Sequence, residues 1–199
     1  MNLDEYRTLF VVATLVLSLI AASPALSVVV PFRSGSEEFS ELWLLGPTHM
    51  AEGYPFGVTI GEKEQIFVGV GNHMGRSAYY VVYLKLRNQT QAAPDSATST
   101  PSSLAPLYEF RTFVADGDIW ESPVAFSFVE ASGFGDLFTV KKMSVNDVVF
   151  PVDSISVWDS ENNGFFYQLF FELWIYDEAS MSFRYHDRFV GIWLNVTVS

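Results

Sequence analysis

Hydrophobic and polar positions divide the chain into regimes with different periods. Leu9–Phe32 (LFVVATLVLSLIAASPALSVVVPF) is one apolar run without a charged residue. It exceeds the roughly 20 apolar residues that cross a bilayer, so one transmembrane or signal-anchor helix is expected there, after a short tail, 1–8. Ala25-Leu26-Ser27 offers a small-x-small site for a signal peptidase. Apolar Val28–Phe32 continue past that site, which favours a retained anchor over a cleaved signal. Arg7 and Arg33 flank the run one on each side, so charge bias assigns no orientation.

Beyond Arg33 the pattern becomes that of strands. Phe39–Leu45, Gln65–Val70, Ala78–Arg87, Leu107–Val114, Trp120–Phe128, Leu137–Lys142, Phe165–Tyr176 and Phe183–Val198 are rich in Val, Phe, Tyr, Trp and Ile. Such residues suit a pleated, half-buried surface. Gly46-Pro47, Tyr54-Pro55, Gly71-Asn72, Asp116-Gly117, Asn146-Asp147 and Asn162-Asn163-Gly164 separate them as turns. Residues 79–86 are mostly apolar on both faces, which places that strand in the middle of a sandwich. Phe110–Val114 and Ile119–Phe128 read as a hairpin closed by Ala115–Asp118, and Phe165–Tyr176 with Met181–Val198 as a longer one. Phe39–Leu44 echoes Phe170–Ile175; the echo reads as two strands meeting one requirement, an outward Glu and inward aromatics. The expected fold is all-β: an immunoglobulin-like β-sandwich over 33–199 behind one N-terminal helix.

Gln89–Pro106 is low in complexity and rich in Ser, Thr, Pro and Ala. It is predicted to be an exposed loop within the domain, because residues 33–88 alone are too few to close a core.

Composition narrows the functional classes. Aromatic residues make up 16% of the 199, which excludes a disordered chain. The net charge of −12 repels phosphate, so neither nucleic acid nor an anionic lipid surface is an expected partner. The sequence has no cysteine, which removes disulfides, thiol nucleophiles and thiolate metal sites. No cofactor is expected.

Candidate chemistry is sparse. Asp159-Ser160-Glu161-Asn162-Asn163-Gly164 resembles the first half of a calcium loop, with Asp159, Glu161 and Asn163 as oxygen ligands; Phe170 stands where the bidentate acid belongs. An Asn-Gly turn explains the same residues, and Asp116 and Asp118 contribute only if the fold brings them near. His49-Met50 and His73-Met74 pair imidazole with thioether, a soft set suited to copper, although both flank Gly-rich turns where such residues simply pack. Glu41 and Glu172 form a glycosidase-type carboxylate pair only if they face one cleft. No nucleophile elbow, His-Glu-x-x-His or phosphate-cradling loop occurs, and enzymatic activity is not expected. Gly69–Gly75 precedes a strand and reads as a tight connection. Trp120, Trp158 and Trp174 are candidates to stack on sugar rings, with core packing the favoured reading. Asn88-Gln89-Thr90 and Asn195-Val196-Thr197 fit the glycosylation sequon, which would place the domain outside the cell.

Several blocks resemble one family: Ala22–Ser27, Glu41-Leu42-Trp43, Gly46-Pro47, Tyr54-Pro55-Phe56, Val68–His73, Tyr79-Tyr80, Asn88-Gln89-Thr90, Phe170–Tyr176 and Arg188–Asn195. They are similar to archaeal envelope proteins grouped as domain of unknown function 1616. The resemblance implies a membrane-associated protein with an extracytoplasmic β-sandwich and carries over no catalytic residue. The resulting expectation is a single-pass protein of the cell membrane, attached through Leu9–Phe32. Most of its chain lies outside as an envelope binding, adhesion or structural module with a protein or glycan partner. The alternatives are a secreted ligand- or metal-binding domain and, behind it, a carbohydrate-processing enzyme.

Overall fold

The computed structural model describes residues 6–7, 10–18 and 37–197. The chain divides into two units, Met1–Glu37 and Glu38–Ser199. In the first, residues 6–7 and 10–18 are helical. The rest of the expected membrane span, Leu9 and 19–32, lies outside the described residues. Among the described residues no helix is long and apolar enough to cross a membrane.

Among the described residues the second unit holds ten strands: β1 (Phe39–Leu45), β2 (Gly57–Thr59), β3 (Glu64–His73), β4 (Ala78–Asn88), β5 (Tyr108–Val114), β6 (Ile119–Phe134), β7 (Leu137–Val145), β8 (Val148–Val157), β9 (Phe166–Asp177) and β10 (Ser182–Thr197). They form two five-stranded sheets, ordered β1-β3-β6-β7-β8 and β2-β10-β9-β4-β5. All neighbours are antiparallel except β2, which runs parallel to β10.

Alternation along the strands explains how the sheets join. Ile66, Val68 and Val70 of β3 and Val124, Phe126 and Phe128 of β6 point into a core shared with Tyr80, Val82 and Leu84 of β4 and Leu169, Phe171 and Leu173 of β9. Burying each such side chain contributes roughly 1.5–3 kcal/mol, the main force holding the layers together. Tyr167 adds a polar tie, since its hydroxyl donates to Phe138 O (2.6 Å) and Ser154 O (3.1 Å) across the layers.

Two expectations need correction. β5 and β6 do not form a hairpin: Asp116-Gly117 carries the chain from one sheet to the other, and β6 pairs with β3. Gly69–His73 is not a connection but the second half of β3. Gly69 and Gly71 face outward beneath the Trp43 indole, and a Cβ on Gly69 would lie 2.1 Å from Trp43 Cε2. Glycine is required there because the ring lies against the strand.

The register also defines two ends. Phe39, where the preceding chain enters, pairs with His73, beside the start of β6. β6 then runs 16 residues, up to about 50 Å, to its turn with β7 at Gly135-Asp136.

Candidate functional site

Exposed apolar side chains gather at the hairpin end. Phe134, Leu137 and Val157 stand side by side in register across β6, β7 and β8, and are 88%, 45% and 50% exposed. Trp158 follows Val157, with its backbone N–H donating to Asp136 O (2.8 Å). Its ring meets Phe165 edge-on at 5.1 Å.

Next to this row is a cleft of about 390 Å³ lined by Phe56, Gln89, Asp159, Asn162, Phe166 and Trp193. Phe56 and Phe166 lie 6.0 Å apart between ring centroids. The Arg87 guanidinium sits over the Trp193 ring at 4.8 Å. Arg87 is itself fixed by Gln168 Oε1 and Gln91 O, both at 2.6 Å. Gln89 accepts from Ser156 Oγ (2.9 Å). Sequence reasoning missed this cleft because its residues come from four separate stretches and share no spacing.

The Asp159 loop works as a turn. Asp159 Oδ1 accepts the N–H groups of Glu161 (2.9 Å) and Asn162 (3.0 Å), and Oδ2 accepts Asn162 Nδ2 (2.9 Å). Hydrogen bonds from Asn162, its side chain first, hold the Asp159 carboxyl below its ordinary value. Asn163 takes a left-handed φ of 54° and Asp159 pairs with Gly164. Asp116, which accepts from Gly75 N, lies with Asp118 by the Ala78 end of β4, whereas Gln89 and Asp159 lie beyond its Asn88 end. The acids are therefore not brought together, and among the described residues no group of three His, Asp or Glu is placed to hold a metal ion.

The His-Met pairs are also apart. His73 contacts Glu41 at 3.5 Å and stacks on Phe39, while His49 contacts Glu121 at 2.9 Å and covers Phe67. Phe39–His73 and Leu45–Phe67 are the two extremes of the β1–β3 register, about 20 Å apart. Of the sequon residues, Asn88 Nδ2 donates to Ile155 O (2.6 Å) and Asn195 Nδ2 to Asn163 O (3.4 Å). Trp120 packs against the core near Phe110.

Glu41 and Glu172 lie on opposite outer faces of the two layers. Glu41 alternates with inward Ser40 and Leu42 in the first sheet, and Glu172 alternates with core Phe171 and Leu173 in the second. Glu172 is not solvated: it is fully buried beside Lys85, with Nζ–Oε2 at 2.9 Å. Ser102 N donates to its Oε1 (2.7 Å), Trp174 Nε1 donates to Oε2 (3.1 Å), and Lys85 Nζ donates to Ser102 O (2.9 Å). Most of the low-complexity segment is exposed, but Pro94 and Ser102 are buried, so it straps the outer face of the second sheet.

A second polar network lies near the entry end. His186 Nε2 meets Ser40 Oγ (2.9 Å), Ser40 meets the Tyr80 hydroxyl (2.6 Å), and Tyr80 donates to Asn72 Oδ1 (3.0 Å). Burial, with Arg184 and Arg188 nearby, pushes His186 down to about 4.

Residues 33–133 match the family model described as a domain of unknown function (DUF1616). The chain belongs to this family. The DUF1616 match runs from ahead of β1 almost to the end of β6. It contains Phe56, Gln89, Lys85 and Ser102, while Glu172 and the remaining cleft residues lie beyond it. No curated protein matches the chain. Among solved structures it is similar to a β-glucosidase from Listeria innocua in complex with glucose, at 8% identity and TM-score 0.37, over 80% of this chain but 16% of that one. It is also similar to one chain of the complex of Zinc 2-glycoprotein and Prolactin inducible protein from human seminal plasma, at 8% identity and TM-score 0.39, over 83% of this chain and 100% of that one.

Proposed function

We propose that this DUF1616 protein is a membrane-anchored, extracytoplasmic binding module of the cell envelope, serving adhesion or envelope structure rather than catalysis. One observation carries the reading. Phe134, Leu137 and Val157 form a contiguous apolar row at the end of the sandwich opposite the entry of the chain at Phe39. Contiguous exposed apolar surface is characteristic of partner contact.

The sandwich is immunoglobulin-like in the broad sense. What supports this reading is that β1-β3 and β10-β9-β4 are ordered as A-B and G-F-C are, while the β6-β7-β8 meander fills the E and D places in the reverse chain order. The enzyme alternative loses its carboxylate pair, because Glu41 and Glu172 face away from each other. The ligand-binding alternative finds its support in the Phe56–Trp193 cleft rather than in a metal loop.

The lack of cysteine makes a direct test simple. A Phe134→Cys chain carries a single thiol, which a membrane-impermeant maleimide should label on intact cells. Labelling only after lysis would overturn the extracytoplasmic placement.

A further inference from the structure

We propose that the cleft between Phe56, Phe166 and Trp193 is a carbohydrate site for one or two neutral sugar rings. The proposal deepens the envelope-binding reading and rests on it for the source of the ligand. Its volume of about 390 Å³ falls at the lower end of the roughly 300–1,000 Å³ of small-ligand sites, too small for a folded partner. Three aromatic rings form its apolar wall. The C–H-bearing face of a pyranose packs on such rings and buries its apolar area there. Two carboxamides, Gln89 and Asn162, and one carboxylate, Asp159, line the same cleft. A carboxamide donates and accepts at once, which matches the paired donor and acceptor of a sugar hydroxyl.

The electrostatics select a neutral ligand. An aromatic wall with an acid also describes a cage for an organic ammonium ion. Here the Trp193 ring already carries the Arg87 guanidinium, which repels a second cation. The Asp159 carboxylate keeps its charge, but its oxygens already accept two backbone N–H groups and Asn162 Nδ2, so they offer a cation little direct contact. An anion meets Asp159 and a chain of net charge −12. The site is also held ready: Gln91 and Gln168 fix Arg87, and Ser156 fixes Gln89. Little ordering entropy then remains for the ligand to offset.

Saturation-transfer NMR and tryptophan fluorescence on the full chain in detergent provide the test. The probes are glucose, galactose, mannose, N-acetylglucosamine, cellobiose, lactose and chitobiose, with tetramethylammonium as the cationic competitor. At least one sugar should bind with Kd on the order of 1 mM. Phe56→Ala and Trp193→Ala should each weaken it by about tenfold or more, and Trp158→Ala should not. Phe56 is exposed, so its variant remains informative if Trp193→Ala does not fold. The proposal is overturned if no sugar receives saturation from the protein, if binding survives both cleft substitutions, or if tetramethylammonium displaces the sugar. If no sugar binds while envelope binding survives Phe56→Ala and is lost on Phe134→Asp, the sugar site is discarded and the binding-module reading stands.

Discussion

Lys85 and Glu172 form an ion pair sealed inside the domain, Nζ to Oε2 2.9 Å, although both project from the outer face of their sheet. Desolvating two charges is costly, and the Ser102 and Trp174 donors offset that cost by completing the carboxylate's hydrogen bonds. Removing one partner leaves the other buried and uncompensated. Glu172→Gln or Lys85→Met should each lower unfolding stability by about 3–5 kcal/mol. The double variant Lys85→Met/Glu172→Leu should recover a large part of that loss. Urea denaturation midpoints decide it; additive single losses would mean the pair does not act as a unit.

Trp43 lies flat on β3 because Gly69 and Gly71 have no side chains. Gly69→Ala should cost about 1–3 kcal/mol through overpacking, while Gly57→Ala, with open space around it, should be close to neutral. Combining Gly69→Ala with Trp43→Ala should cost less than the sum of the single changes. Thermal melts of the four variants check this; a harmless Gly69→Ala would show that the indole moves aside at no cost.

His186 makes stability depend on pH. Burial holds it at about 4 against an ordinary 6.5, so between those values the unfolded chain binds more protons than the folded one. Stability therefore falls as pH drops through this window and levels off below about 4. Partial solvent screening reduces the expected contribution to about 2 kcal/mol. Urea midpoints measured from pH 7 to 4 should fall less steeply for His186→Gln than for the parent. Identical slopes would show that the His186–Ser40–Tyr80–Asn72 chain is not coupled to protonation.

Much of the fold was legible wherever composition and alternation agreed. The expected β1 matches its observed bounds, and β4, β9 and β10 fall within a residue or two of expectation. β8 was not legible because Pro151 and the left-handed Asp153 interrupt its pattern, as suits an edge strand. β3 was read short because glycine marks turns and close packing alike, and only the position of Trp43 separates the two. The β5–β6 connection failed for a related reason: Asp116-Gly117 is good turn chemistry whether the chain folds back into its own sheet or crosses to the other. Of the site, Asp159 was visible as a turn acid. The cleft was not, since Phe56, Gln89 and Trp193 meet only through the parallel β2–β10 pair and the end of β4.

The most direct test of the account is the binding of the purified, liposome-reconstituted chain to envelopes prepared from cells that lack it. Phe134→Asp/Leu137→Asp alters the apolar row at the hairpin end, and Met181→Asp makes the same chemical change at an exposed site on the β9–β10 turn at the other end. The expected result is a loss of about tenfold or more for the hairpin-end variant, with parent-like binding by Met181→Asp. Equal binding by all three chains, or a loss confined to Met181→Asp, would contradict the account.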